Sequence, residues 1–129
     1  MSVVKRKTYL NIGIIALILI VAGSYLIYKH NEKEKFYSEQ KERITTYMKY
    51  NVKDYKSITF TNFKRNPMDG YDITGYINND KKLEFSAGVR STGNYQFDGD
   101  ISFTGALSKL LNKNTKTISQ IEEEKRNRN

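Results

Sequence analysis

Seventeen consecutive residues, Ile12 to Tyr28 (IGIIALILIVAGSYLIY), carry no charge, and Lys5, Arg6 and Lys7 stand just upstream, separated from them by Thr8 to Asn11. A helix needs about 17 to 20 apolar residues to cross the hydrocarbon core of a bilayer, and Tyr9 and Leu10 lengthen this run at its start. A retained helix here would put everything after it on one side of a membrane. The apolar character persists through Tyr25, Leu26, Ile27 and Tyr28, and tyrosines at such a boundary suit an interfacial belt, so a retained anchor is expected. A cleaved signal peptide is the competing reading, because Ala22 and Ser24 are small residues at an A-x-A-like spacing. A buried helix of a soluble domain is a third. The compact basic cluster predicts a single pass with the N terminus inside and the following domain extracellular. Signal cleavage would instead release the domain.

The residues inside the run narrow the choice further. Val21, Ala22 and Gly23 match what a bacterial lipoprotein signal places before its lipidated cysteine, but Ser24 follows, and the 129 residues contain no cysteine. Thioether lipidation is therefore chemically excluded.

About 100 residues remain, enough for one small domain. Boundaries are expected at 1–30 for the cytoplasmic tip and anchor, 31–122 for the extracytoplasmic domain and 123–129 for a charged, flexible tail. Twenty-two Lys and Arg stand against 14 Asp and Glu, a net charge of +8, and three of the basic residues precede the span. That balance permits contact with anionic lipids or wall polymers. The remaining cations are scattered among acids and form neither a stripe nor a recognisable binding motif, so nucleic acid is not an expected partner.

The domain reads as α+β. From Asn31 to Val52, Phe36, Gln40, Ile44, Tyr47, Met48 and Asn51 recur at threes and fours, which predicts an amphipathic helix that can run on from the span. Asn31 and Glu34 resemble a capping box. The period then changes to two. Ile58 and Phe60 mark a first strand; Tyr71, Ile73, Gly75 and Ile77 a second; Leu83, Phe85, Ala87 and Val89 a third; Tyr95, Phe97, Gly99, Ile101 and Phe103 a fourth. One face is apolar on all four, so an antiparallel meander with one wet face is expected, the helix covering the other. Asn66 to Gly70 (NPMDG) is the strongest turn signal and holds the only proline, Pro67. Three-residue loops are predicted at Asn79–Lys81 and Ser91–Gly93, with Gly93 left-handed. Ala106, Leu107, Leu110 and Leu111, then Ile118 and Ile121, predict two short helices, the second capped by Thr117. The ending EEEKRNRN has no apolar residue and is expected to fray.

Catalytic signatures are missing from this pattern. The only histidine, His30, lies beside the membrane boundary, no cysteine can serve as nucleophile, and no zinc spacing, phosphate loop or dinucleotide fingerprint is present. An enzyme, a cofactor and a metal are not expected. The hairpin registers do align Tyr76, Glu84 and Asp100 on the wet face, beside rows of Thr74, Ser86 and Asp98 and of Asp72, Gly88 and Gln96. Opposed like charges destabilise a sheet, so this acidic cluster is either neutralised by Lys82 and Arg90 or kept for a cationic partner. Asp72, Tyr76, Glu84, Asp98 and Asp100 are the candidate partner-binding residues. Calcium at Asp98 and Asp100 is a further reading without a dedicated loop to support it.

The run TYMKYNVKDYKSITFTNFKRNPMDGYDITGYINNDKKLEFSA, followed by YQFDGDISFTGAL, resembles a family of small envelope lipoproteins of low-GC Gram-positive bacteria, domain of unknown function 1433, over residues 40 to 125. NPMDGYDITGYINND and LEFSA carry the likeness most tellingly. The resemblance implies an envelope-anchored domain and, for members linked to immunity against a lipase toxin exported by the type VII secretion system, a secreted protein partner. It brings no catalytic residues. Ser24 departs from the family pattern, because a lipid-bearing cysteine would stand there. The expected function is a membrane-anchored immunity protein that neutralises the toxin by occlusion. An envelope module binding a lipid or wall glycan in a groove between helix and sheet is the alternative. A structural accessory of a membrane complex is another, although Gly13 and Gly23 stand too far apart for a close-packing pair.

Overall fold

A computed structural model describes residues 2–128, with side chains from residue 7 onward; Asn129 and the side chains of Lys5 and Arg6 lie outside the described residues. The chain divides into two compact units, one ending at Phe36 and one beginning at Tyr37. Helix α1 (Ser2–Asn51) contributes to both.

In the first unit every large apolar side chain from Tyr9 to Tyr28 is exposed. Gly13 and Gly23 have no atoms near the position a Cβ would take. The helix is long and apolar enough to cross a membrane, and by length and composition it suits an anchor or a signal sequence equally.

The second unit is an antiparallel meander in the order β1 (Ile58–Arg65), β2 (Tyr71–Ile77), β3 (Glu84–Val89), β4 (Ile101–Phe103). Two helices follow, α2 (Gly105–Ser108) and α3 (Ile118–Arg128). The α+β architecture is the expected one. Alternation drives it: Ile73, Ile77, Phe85, Ala87 and Val89 are buried on one face of β2 and β3, and Ile44, Tyr47 and Met48 of α1 are buried with them. Each such aliphatic or aromatic side chain contributes about 1.5–3 kcal/mol by leaving water.

A β-bulge lets β1 use the same face twice. Phe60 pairs with Gly75 but Asn62 with Thr74, so Thr61 is the extra residue and the side-chain parity inverts beyond it. Phe60 and Phe63 consequently both point to the core side. Phe60 meets Phe85 edge-on at 6.0 Å, while Phe63 stacks between Tyr37 at 4.5 Å and Tyr71 at 5.1 Å.

Two buried amides on the helical stripe fasten irregular segments to α1. Gln40 accepts from the Phe97 amide at 2.6 Å and donates to the Gln96 side chain at 3.0 Å. Asn51 accepts from the Lys116 amide at 2.6 Å and donates to the Lys116 carbonyl at 2.9 Å. Burial without such partners would cost about 1–3 kcal/mol for each amide group.

At the β1–β2 turn, Asn66 Oδ1 accepts from the Met68 amide at 2.9 Å, and Gly70 has φ +66°. A side chain at Gly70 would collide with the Val89 carbonyl, so only glycine fits. Thr117 caps α3 as expected: its hydroxyl accepts from the Gln120 amide and the Gln120 side chain accepts from the Thr117 amide.

Three expectations are corrected. The β2–β3 register is as predicted, Tyr76 opposite Glu84 and Thr74 opposite Ser86, but the β3–β4 register is displaced by four residues, with Ser86 opposite Ser102 and Gly88 hydrogen-bonded to Asp100. The cause is the connection, which is no tight hairpin: Ser91–Gly93 forms a 3₁₀ turn, and the left-handed residues are Asn94 and Tyr95 rather than Gly93. The fourth strand is accordingly confined to Ile101–Phe103, and Phe97 is buried from a loop. The segment from 123 to Arg128 belongs to α3, with Lys116 paired to Glu124 at 2.7 Å and Lys125 over the Tyr50 ring at 5.5 Å.

Candidate functional site: the open face of the sheet

The face of the sheet opposite α1 is built from the polar half of each strand alternation. Its central rows are Thr59, Tyr76, Glu84 and Thr104, then Thr61, Thr74, Ser86 and Ser102. Thr61 and Thr74 hydroxyls lie 3.2 Å apart, and the Ser102 hydroxyl donates to the Ser86 carbonyl at 3.4 Å. Thr104 secures the β3 end by donating to the Lys82 carbonyl at 2.6 Å and accepting from the Glu84 amide at 3.3 Å. Short hydroxylated side chains give a flat surface that offers donors and acceptors at low cost in side-chain entropy.

The third row joins Asp72, Gly88 and Asp100, with Arg90 between the acids. Arg90 is ion-paired to Asp72 through Nη2 and lies 3.5 Å from Asp100 through Nε. Its Nη1 donates to the Asp69 carbonyl at 2.7 Å, and Asn66 holds the other Asp72 oxygen at 3.0 Å. Gly88 leaves room for the Asp100 carboxylate, which a Cβ there would push aside. One guanidinium thus offsets the repulsion between two facing acids. Beside it lies a recess of about 250 Å³ lined by Arg90, Gln96, Asp98, Asp100 and Thr117.

The five candidate residues therefore divide. Tyr76 and Glu84 face one another across β2 and β3 as expected, and Glu84 is exposed with no ion pair among the described residues. Asp72 and Asp100 come together through Arg90, not in the predicted rows. Asp98 leaves the face altogether: its carboxylate accepts from the Ser119 amide at 2.8 Å and hydroxyl at 2.7 Å, fixing the start of α3, with Arg43 at 4.0 Å. Asp98 and Asp100 are thus held by different partners. Among the described residues no group of three His, Cys, Asp or Glu could hold a metal. The hydroxyl rows were not singled out from the sequence, although Thr74 and Ser86 stood in the same alternation that flagged the acids.

The family described as "Protein of unknown function (DUF1433)" matches residues 36–123. The chain belongs to DUF1433. No curated protein matches it. Among solved structures, this DUF1433 chain is similar to the solution NMR structure of the folded 79-residue fragment of Lin0334 from Listeria innocua. The two are 40% identical, the match covers 69% of this chain and 93% of that one, and the TM-score is 0.58. The buried residues of this DUF1433 chain lie after Tyr37, among the described residues.

Proposed function

We propose that this DUF1433 chain is a membrane-anchored, extracytoplasmic protein-binding module, an immunity protein that neutralises a secreted lipase toxin by occlusion. The open sheet face carries the reading. It is hydroxyl-rich and partly or wholly accessible to solvent, and it centres on Tyr76 beside Glu84, which has no ion pair among the described residues. Tyrosine with short polar neighbours supplies contact area and adaptable hydrogen bonds, the combination that serves protein recognition well. The apolar helix supports the anchored half of the proposal, because a tether raises the effective concentration of an inhibitor at the surface a lipase attacks without any new contact.

Capture of proteins secreted by the source bacterium, with residues 31–129 as bait, tests the proposal. Recovery of a lipase is the expected result, and Glu84→Lys with Thr74→Arg should abolish that capture while the melting temperature stays within a few degrees. Capture that survives both substitutions would remove the open face from the proposal.

A further inference from the structure

The cations of the domain are divided unevenly. Every ion pair among the described residues uses Arg43, Arg90 or Lys116, all serving the β3–β4 side and α3. Along the β1 edge, Lys41, Lys49, Lys56, Lys64 and Arg65 have no ion pair among the described residues. Glu42 lines the same open groove of about 500 Å³ as Lys41, Lys49, Ser38, Thr45 and Phe60, and Asp72, opposite Lys64, is held by Arg90. The Lys41 ammonium is positioned there, 4.6 Å from the Tyr37 ring and 5.9 Å from the Phe60 ring.

At the end of the same edge, Lys64 and Arg65 lead into the Asn66–Gly70 turn, whose tip is Met68. Met68 is 95% exposed, the most exposed large apolar side chain among the described residues. The acids next to it are withdrawn: Asp69 accepts from the Ser91 hydroxyl at 2.8 Å, and Asp72 is held by Arg90 and Asn66. The turn therefore offers two free cations and a flexible thioether.

We propose that the β1 edge, with the Met68 turn and the Lys41 groove, docks onto an anionic lipid surface. Cations near such a surface attract it additively, an apolar tip gains by leaving water, and hydroxyls beside an ammonium suit a phosphate headgroup. An acidic protein or polymer would satisfy the cations but leave Met68 without a reason to protrude. Lys64 stands opposite Asp72 at the β1 margin of the open face, whereas Arg65, Met68 and the Lys41 groove lie away from its Tyr76–Glu84 centre, and vesicle binding is measured with no toxin present, so the two proposals can fail separately.

The test is cosedimentation of residues 31–129 with vesicles of phosphatidylcholine alone or with added phosphatidylglycerol, in about 0.1 M salt. Binding is expected only to the anionic vesicles. Lys64→Glu with Arg65→Glu should weaken it by at least about 30-fold, from roughly one factor of five per cation removed. Met68→Ser should weaken it about tenfold. Lys81→Glu with Lys82→Glu, the same charge change in the β2–β3 turn at the other end of the strands, should leave it within about threefold, and circular dichroism melts check that all variants fold. No partition onto anionic vesicles, or equal losses from the two charge-reversed pairs, would overturn the proposal. So would loss of binding to the vesicles together with retained binding to a soluble polyanion.

Discussion

The two faces of one sheet are made from alternate residues of the same strands, yet they are held by different physics. On the α1 side, Phe85, Ile73, Ile77 and Val89 are buried, and their worth lies in excluded water and close packing. On the other, Thr74, Tyr76, Glu84 and Ser86 remain partly or wholly accessible, and their hydrogen bonds exchange with solvent at little net gain. Stability is concentrated on one side of the backbone, and the other carries little of it.

The largest effect that would sharpen this contrast comes from Phe85, fully enclosed and edge-on to Phe60. Phe85→Ala should cost about 3–5 kcal/mol, enough to unfold much of the population in a small domain, whereas Ser86→Ala beside it should stay within about 0.5 kcal/mol. Urea denaturation of both variants checks this. Similar midpoints for the two would break the assignment of stability to one face.

Arg90 is the intermediate case, because it lies on the open face but is used structurally. Arg90→Met would leave Asp72 and Asp100 facing one another across Gly88 and should cost about 1–2 kcal/mol, with the partial exposure of all three groups limiting the loss. Adding Asp72→Asn should recover part of it, a coupling that a double-mutant cycle in urea would measure. Strict additivity would show that the guanidinium contributes nothing through Asp72 and acts through Asp100 and the Asp69 and Tyr71 carbonyls.

Much of this was legible in the sequence, for reasons that also mark where legibility ended. Parity along a strand is set by the backbone alone, so the buried face of β2 and β3 and the pairing of Tyr76 with Glu84 followed from alternation and a short loop. Displacing β4 by four residues preserves parity, so Ile101 and Phe103 stay on the core side in either register, and hydrophobicity could not choose between them. What chose was the loop: a 3₁₀ turn with Asn94 and Tyr95 left-handed, and the Phe97 amide captured by Gln40, a residue 57 positions away. The bulge at Thr61 inverts parity within β1, which hid Phe63 from a strict two-residue count. Asp98 looked like a surface acid because its role is to cap a helix that begins 20 residues later, and no local pattern announces that partner.

The smallest predicted effect concerns pH and isolates a buried phenol. Tyr47 lies on α1 edge-on to Phe97 at 5.5 Å, and burial raises its phenol above the ordinary 10.0, opposed in part by a hydrogen bond with Thr115. Burial raises Tyr55 in the same sense. A raised phenol is more readily ionised in the unfolded chain than in the folded one, so the stability it contributes is fully present below about pH 10 and declines as pH climbs from there through the folded value. Tyr47→Phe should therefore flatten the fall in melting temperature between about pH 10 and pH 11.5 while lowering the plateau at pH 7 by about 1 kcal/mol or less, the worth of the lost hydrogen bond. Tyr76→Phe on the open face provides the comparison, since it removes a phenol that takes no part in the core. If Tyr47→Phe left the alkaline profile unchanged, burial would not set the Tyr47 phenol apart, and the division of the sheet into a stabilising side and an open side would fail at its helix-covered end.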